Sequence, residues 1–458
     1  MSILDKRSDL VSALRDAGGQ RALERVSGIT RKRIRTAIKK FDIRAEEYSE
    51  ESVITTDDFV KERKVNVRIK DENRRLKAEV NALATGSNKV DAITNYINAS
   101  LENVAKSFTS IKKPRTKKGK HGPIEHVLAL SDWHWGDMVW PERVNNINAF
   151  SPKVAAQRVE RCVDTTIALA KHHESAGNPV DQLTVVINGD QFSGMHNIHP
   201  DDADEEGRVV GQMTDCALVT AQAIWELAHY YPNVRVICPA GDNHTRSTRK
   251  NVTSATAFDQ SWSTAYYQII DALLMNVKHV DVQIYTSYQV FFSVKGWEWS
   301  ACHGHSIKGG GGIAGVPAAG IIRHHNGNVA KSVALAKMLS KTENVTYEEL
   351  ISAIAGIVDH SLVGHFHNKL DMEGMSGEIH ITPSLKGHDP FCGDILGKIG
   401  KSGQVLFCVH EKNDIMCHHP IRLDRFRDMD YESRYQWGVA QDGNPHEVSK
   451  HMRRFLGT

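Results

Sequence analysis

Five short stretches gather residue types that bind metals and move protons: Asp132-Trp133-His134, Gly189-Asp190, Gly241-Asp242-Asn243-His244, His303-Gly304-His305 and Gly364-His365-Phe366-His367. Each alone is a weak signal, because an Asp-x-His or Gly-Asp after a strand is more often a turn or a satisfied polar pair than a ligand set. Five in series, at intervals each long enough for a helix and a return strand, make coincidence a poor explanation. Carboxylate, imidazole and amide donors together suit borderline divalent ions such as Mn2+, Fe2+ or Zn2+, and a set without thiolate argues against a structural zinc. Two such ions ~3.5–4 Å apart can activate a water between them and clamp phosphate oxygens during in-line attack.

Something must carry these residues to one place. Over about 124–420 the pattern alternates between buried strands and amphipathic helices: HVLALSDWH, LTVVINGD and NVRVICPAGDNH are apolar runs that end in polar groups, and VAAQRVERCVDTTIALAKHH has helical spacing. QVFFSVKGWEWSACHGH and AGIVDHSLVGHFHN add strands with the same ending. An α/β fold that ends its strands this way holds ligands at the carboxyl edge of the sheet, so all candidate ligands are expected along one sheet edge.

The front of the chain is different. Residues 1–56 read as three short helices, with Leu10, Val11 and Leu14 in the first, Ala22, Leu23 and Val26 in the second, and Ile34, Ala37 and Ile38 in a third that opens after Thr30 as N-cap. Helix, a turn with Gly28, then TRKRIRTAIKKFDI is the pattern of a helix-turn-helix, whose second helix enters the major groove. Arg31, Lys32, Arg35 and Lys39 form its candidate DNA-binding face. A helical hairpin used for oligomerisation is the plainer reading. Residues 57–110 follow as a helical segment, in which DENRRLKAEVNAL suggests a short coiled coil compatible with a homodimer. Residues 111–123, IKKPRTKKGKHGP, are a basic linker suited to a nucleic-acid backbone, and 421–458 are a charged, aromatic C-terminal tail.

Bulk properties agree with two or three domains in 458 residues. With 40% hydrophobic and 24% charged residues the chain is of ordinary soluble type. No run nears the ~18 apolar residues of a membrane helix, and the charged start is unlike a signal peptide, so no membrane partner is expected and a cytoplasmic location is. The net charge of +2 hides an asymmetry: 28 Lys and Arg face 17 Asp and Glu over residues 1–120, and 29 face 38 over the rest. A basic front on an acidic body fits attachment to a polyanion, and a solvated basic segment without partner fits equally. The seven cysteines contain no C-x-x-C and read as reduced, mostly buried thiols, neither a disulfide framework nor a zinc ribbon.

In order, spacing and strand context the five motifs resemble the calcineurin-like metallophosphoesterases over roughly 125–385. The wording SDWHWGD and NGDQF is similar to the double-strand-break-repair nuclease branch, where the first motif also reads D-x-H-x-G. The resemblance implies a metallophosphoesterase β-sandwich flanked by helices, an α/β fold, here preceded by a small all-α segment. It implies two divalent ions, Mn2+ foremost, with Asp132, His134 and His367 on one, Asn243, His303 and His365 on the other, and Asp190 bridging them. It implies for His244 the role of protonating the leaving oxygen or stabilising the charged transition state. The family reads G-N-H-D or G-N-H-E where this chain reads G-D-N-H-T, with Asp242 inserted and Thr245 in place of the acid that commonly orients the histidine. What orients His244 is left open, with Asp242 as one candidate.

Around these motifs, His305 is assigned to supporting the ligands or touching substrate. GGGGIAGVPAAG (309–320) is not a P-loop and reads as a lip over the site, with His324 and His325 beyond it. MHNIHPDDADEEG (195–207) is an acidic loop, and Trp133 and Trp135 pack beneath the metals or stack a base. Together these give a metal-dependent DNA nuclease with an N-terminal DNA-binding module. The alternatives are a phosphoprotein phosphatase or small-molecule phosphodiesterase of the same fold, and a non-enzymatic DNA-binding regulator. DNA-linked architecture of this kind would suit a bacterial virus or mobile element.

Overall fold

A computed structural model of the chain describes residues 3–17, 23, 27–44, 108–194, 209–247, 256–309, 312, 315–340, 346, 354, 357–390, 392–393, 399–424 and 432–437. The chain forms two compact units, Met1–Val80 and Asn81–Thr458.

In the first unit, α1 (Arg7–Asp16) and α2 (Arg31–Lys40) bury Leu10, Leu14, Leu23, Ile34, Ala37 and Ile43 in a small core of their own. Thr30 has the extended backbone of an N-cap, with φ −61° and ψ 141°, but its side chain makes no capping bond. Ile34 and Ala37 point inward at helical spacing, which leaves Lys32, Arg35 and Lys39 exposed and Arg31 half-buried. Ala22 and Val26 of the expected middle helix, and nearly all of the expected helical segment 57–110, lie outside the described residues.

The second unit is built on two sheets. The first has strand order β11-β10-β1-β2-β3-β4: β11 (Asp414–Arg422), β10 (Gly403–His410), β1 (Ile124–Leu130), β2 (Val180–Ile187), β3 (Val234–Cys238) and β4 (Val280–Ile284). β1 to β4 run parallel, β10 pairs antiparallel with β1, and β11 closes that edge as a hairpin partner. The second sheet has order β5-β6-β7-β9-β8: β5 (Gln289–Val294), β6 (Trp297–Cys302), β7 (His360–Val363), β9 (Glu378–Ile381) and β8 (Leu370–Glu373). Here β6, β7 and β9 are parallel.

Strand alternation explains the layering. Val127 and Ala129 of β1, Val186 of β2, and Val405, Phe407 and Val409 of β10 meet Val290, Phe292, Trp299, Ala301 and Leu362 of the other sheet in one buried cluster. The intervening residues Leu128, Leu130, Val185 and Ile187 face the other way, into a core with α3 (Pro152–Ser175), α4 (Val209–Ala228) and α5 (Trp262–Leu274). Ile379 and Ile381 of β9 meet Ile321 of α6 (Ala318–Leu339) on the outer face of the second sheet. The expected sandwich flanked by helices is therefore observed. Among the described residues no helix is long and apolar enough to cross a membrane.

Two end segments lie on the body. The basic stretch 111–123 runs along it, with Lys113 bonded to Asn233 (2.6 Å), Lys117 paired with Glu174 (2.6 Å) and the His121 N–H donating to the Gly177 carbonyl (3.1 Å). In the tail, Arg434 reaches Glu160, Asp164 and Glu226, and Tyr435 is buried with its hydroxyl donating to Glu226 (2.9 Å).

Candidate metal centre

The donors arrive at the carboxyl ends of strands from both sheets. Asp132 and His134 follow β1, Asp190 follows β2 and Asn243 follows β3 in the first sheet; His303 follows β6, and His365 and His367 follow β7 in the second. This corrects the expectation of one sheet edge. A single parallel sheet offers one row of loop positions, whereas two facing sheets let donors approach from opposite sides.

The loops turn sharply enough to aim side chains back at one another. Asp132 (φ 54°), His134 (51°), Asp190 (49°), His365 (69°) and His367 (54°) all adopt the left-handed conformation. Such a backbone costs a non-glycine residue about 1–2 kcal/mol, and it persists only where the surroundings over-determine it. Here they do. The N–H groups of Asp132 and His134 donate to the carbonyls of Gly189 and Asp190, and the His365 N–H donates to the Asp132 carboxylate at 3.1 Å. Two glycines allow the approach. A Cβ on Gly189 (φ 86°) would stand 2.6 Å from His303 Nδ1, and one on Gly364 would stand 2.4 Å from Ser131 Oγ.

In one half of the site His134 Nε2 and His367 Nε2 face each other at 3.0 Å, with Asp132 Oδ1 at 4.0 Å and 3.3 Å from them. In the other, His303 Nε2 lies 2.9 Å from Asp190 Oδ2 and 3.0 Å from Asn243 Oδ1. Donor atoms of Asp190, His303 and His365 form one close group, and Asp190 also groups with His134 and His244. Asp190 therefore stands between the halves.

Charge in the site follows from burial and neighbours. Burial lowers the pKa of His365 to about 3, and holds His134 far below the ordinary imidazole range, so both are neutral donors at pH 7. Burial disfavours charge on His303 too, but the Asp190 carboxylate outweighs it and raises that pKa to about 10. Burial would raise Asp132 and Asp190, yet His367 beside the first and His303 beside the second hold both carboxyls below the usual range. Two buried carboxylates and an imidazolium that exists only by leaning on them, with two imidazole nitrogens turned face to face, fit a cationic occupant well. The set of oxygen and nitrogen donors is the one that divalent transition ions prefer.

Each donor is oriented from behind. His303 Nδ1–H donates to the Asn188 carbonyl (2.9 Å), and the Ser131 hydroxyl donates to Asp132 Oδ2. Behind His134, whose Nδ1 is 3.7 Å from Asp137 Oδ2, Asp137 pairs with buried Lys386 (2.9 Å), which also holds Asp389 (2.5 Å). Asp137 belongs to the SDWHWGD motif, yet the sequence carries no sign that its partner would come from position 386.

The question left by the G-D-N-H-T motif is answered by a backbone group. His244 Nδ1–H donates to the Ser193 carbonyl (3.2 Å), and its Nε2 lies 3.8 Å from Asp190 Oδ2. Its ring meets His134 edge-to-face with centroids 4.6 Å apart. Asp242 does not orient it. That carboxylate accepts from the Asp190 N–H (3.1 Å), the Thr245 N–H (2.7 Å) and the Thr245 hydroxyl (2.7 Å), tying two donor loops together.

Of the neighbouring residues, His305 packs edge-to-face on Tyr288 (5.1 Å) and beside His303 (5.6 Å), and burial lowers its pKa to about 4. His325 is buried, with its two ring nitrogens bonded to Ser361 and Ser376. Trp133 and Trp135 are buried, the latter against Trp437, and neither is free to stack a base. The acidic loop 195–207 and residues 310, 311, 313 and 314 of the glycine-rich run lie outside the described residues. Arg31, Lys32, Arg35 and Lys39 belong to the other compact unit.

No family model and no curated protein matches the chain. Among solved structures it is similar to a novel archaeal phosphodiesterase, at 9% identity and TM-score 0.25, over 65% of this chain and 99% of that one. A hypothetical protein of Pyrococcus horikoshii OT3 shares 11% identity at TM-score 0.31, over 72% and 97%. Vps29 of Entamoeba histolytica, solved with Zn2+, shares 10% identity at TM-score 0.25, over 65% and 99%. At such identities and scores the assignment rests on the geometry above. Two facing sheets flanked by helices, with the Asp, Asn and His donors of five strand-end motifs brought together, form the α/β sandwich and donor set that the resemblance to calcineurin-like metallophosphoesterases implies.

Proposed function

We propose that the chain is a metal-dependent phosphodiesterase that cleaves DNA. The observation that carries the hydrolase reading is the convergence of all seven expected ligands on one buried site, five of them on left-handed backbone. Asp132, His134 and His367 would hold one ion, Asn243, His303 and His365 a second, with Asp190 shared, and Mn2+ is the first ion to try. When bound, such ions supply Lewis acidity toward phosphoryl oxygens and a nucleophile at neutral pH. The protein's own part falls to His244. With Nδ1–H fixed on the Ser193 carbonyl, its imidazolium form has its remaining proton on Nε2, the nitrogen nearer Asp190. Giving that proton to the leaving oxygen, or holding it against the charged phosphoryl group, is general-acid or electrostatic work of a kind worth about 10²–10⁴-fold.

The choice of DNA is supported by the exposed Lys32, Arg35 and Lys39 on α2, a face able to neutralise phosphates, and by the D-x-H-x-G wording of the first motif. The test is cleavage of labelled single- and double-stranded DNA in Mn2+ by wild type, Asp190→Asn and His244→Ala, beside a generic bis-phosphodiester. DNA cleavage lost in both variants is the expected result. Hydrolysis of the generic ester with DNA untouched would keep the site and overturn the nuclease, in favour of a phosphatase or small-molecule phosphodiesterase. No hydrolysis of any ester and no bound metal would leave a non-enzymatic DNA-binding protein.

A further inference from the structure

A second set of metal-binding side chains lies far along the strands from the first. Cys408 on β10 and Cys417 on β11 are direct cross-strand partners, and His419, two residues beyond Cys417, shares its face of the sheet. His173, in the last turn of α3, covers that face. His173 Nε2 is 3.2 Å from Cys408 Sγ, 3.9 Å from Cys417 Sγ and 3.3 Å from His419 Nε2, and Cys417 Sγ is 3.4 Å from His419 Nε2. All four donor atoms lie within 4.8 Å of one another.

Hydrogen bonding accounts poorly for this arrangement. One imidazole nitrogen faces two sulfurs and a second imidazole nitrogen, and a single N–H cannot serve three partners. A tetrahedral ion accounts for it well. With Zn–S near 2.3 Å and Zn–N near 2.05 Å, donors should be about 3.3 Å apart for two nitrogens and about 3.6 Å for nitrogen and sulfur. The measured separations scatter about those values. A neighbour adds to the case. His126, paired with Cys408 in the β1–β10 register, is fully buried with its ring against His173 (centroids 5.4 Å), and its Nε2 has no hydrogen-bond partner.

The other histidine cluster shows what ordinary satisfaction looks like. His360 and His380 bond each other (3.2 Å), and their remaining nitrogens bond Asp414 (2.8 Å) and Asp371 (2.9 Å), a closed chain with no donor left over.

We infer that His173, Cys408, Cys417 and His419 form a Zn2+ site that fastens the β10–β11 hairpin to the end of α3. The strand register places it away from the phosphoesterase site: Cys408 is opposite His126, while Asp132 lies beyond the other end of β1. All four positions are filled by protein, as in structural sites, so the ion would hold the fold together and take no part in hydrolysis.

Co2+ titration of the reduced, metal-free full chain tests this without reference to activity. The phosphoesterase donors include no thiolate, so a cobalt–thiolate charge-transfer band reports the second site alone. The expected result is a band that saturates at one equivalent of thiolate-bound ion, is abolished by Zn2+, is weakened in Cys408→Ser or Cys417→Ser alone, is lost when both are replaced, and persists in Asp190→Asn. Absence of the band in folded wild type, judged by circular dichroism, would overturn the site. So would an undiminished band in the folded double variant Cys408→Ser with Cys417→Ser, or a Cys408–Cys417 disulfide found by mass in protein purified under reducing conditions.

Discussion

The two donor clusters of the second unit differ in how the backbone presents them. The donors of the candidate metal centre sit on loops after strand ends, five of them with left-handed φ. Cys408, Cys417 and His419 sit within the β10–β11 ladder, beside its register shift between Cys408 and Val409, and His173 sits within a helix, with no left-handed residue among the four. Strained loops bring donors into a geometry that no regular element offers, and they need glycines and backing hydrogen bonds to hold it. A ladder and a helix end need only the correct register. The first arrangement is suited to a reacting centre and the second to a fastening.

The largest expected effect comes from breaking the first cluster at its middle. Asp190→Asn removes the carboxylate shared by both halves and should lower kcat by about 10³-fold or more while the protein stays folded, measured by steady-state hydrolysis beside circular dichroism. Wild-type rates in that variant would mean that the site does no chemistry. Next is the buried charge group behind His134. Lys386→Met leaves Asp137 and Asp389 buried without their cation and should destabilise the fold by about 3–5 kcal/mol, read from denaturant unfolding. Gly189→Ala should cost about 1–3 kcal/mol and weaken Mn2+ binding, because its Cβ would press on the His303 ring. Cys417→Ser should lower Tm yet leave kcat unchanged, and a loss of kcat equal to that of Asp190→Asn would erase the contrast between clusters.

A further effect concerns pH in metal-free protein. His365, with its pKa lowered to about 3 in the fold, takes up its proton only after the unfolded chain has done so near 6.5. Stability should therefore fall as pH drops from about 6.5 toward 3. His303, raised to about 10, has the opposite sign: its contribution is full below about 6.5 and is lost as pH rises to 10. Metal-free protein should then be most stable near pH 6.5. Added Mn2+ should flatten the alkaline side, since a liganded His303 is neutral and has no proton on Nε2 left to lose, and thermal melts across pH with and without the ion would show it.

Much of the reacting centre was legible in the sequence, because its residues travel in pairs and triplets that end apolar runs. Asp132, His134, Asp190, Asn243, His303, His365 and His367 all belong to such motifs, and so does His244. What the motifs do not carry is anything supplied across the fold. The Ser193 carbonyl that orients His244 is a backbone atom with no residue signature. Lys386 becomes meaningful only beside Asp137, and the split of donors between two sheets depends on which strands pair. The cysteines show the same limit. Expected only as isolated buried thiols, Cys408 and Cys417 meet through a hairpin register and find His173 on a helix far earlier in the chain. In the N-terminal unit the helical spacing of Ile34 and Ala37 announced the inward face of α2, and by exclusion the basic one.

The strand order has a consequence for how the chain is made. β1 leads into the first two donors and lies in the middle of its sheet, yet its neighbour β10 starts 279 residues later in the chain (403 − 124). During synthesis the β1 edge must wait unpaired until β10 emerges, and the ligand set is incomplete until His367 has been added. Contacts of such sequence separation form slowly. A nascent chain thus lacks its full donor set through most of translation, and its exposed β1 edge is the place where a folding helper, or a misplaced strand from another chain, has its longest opportunity.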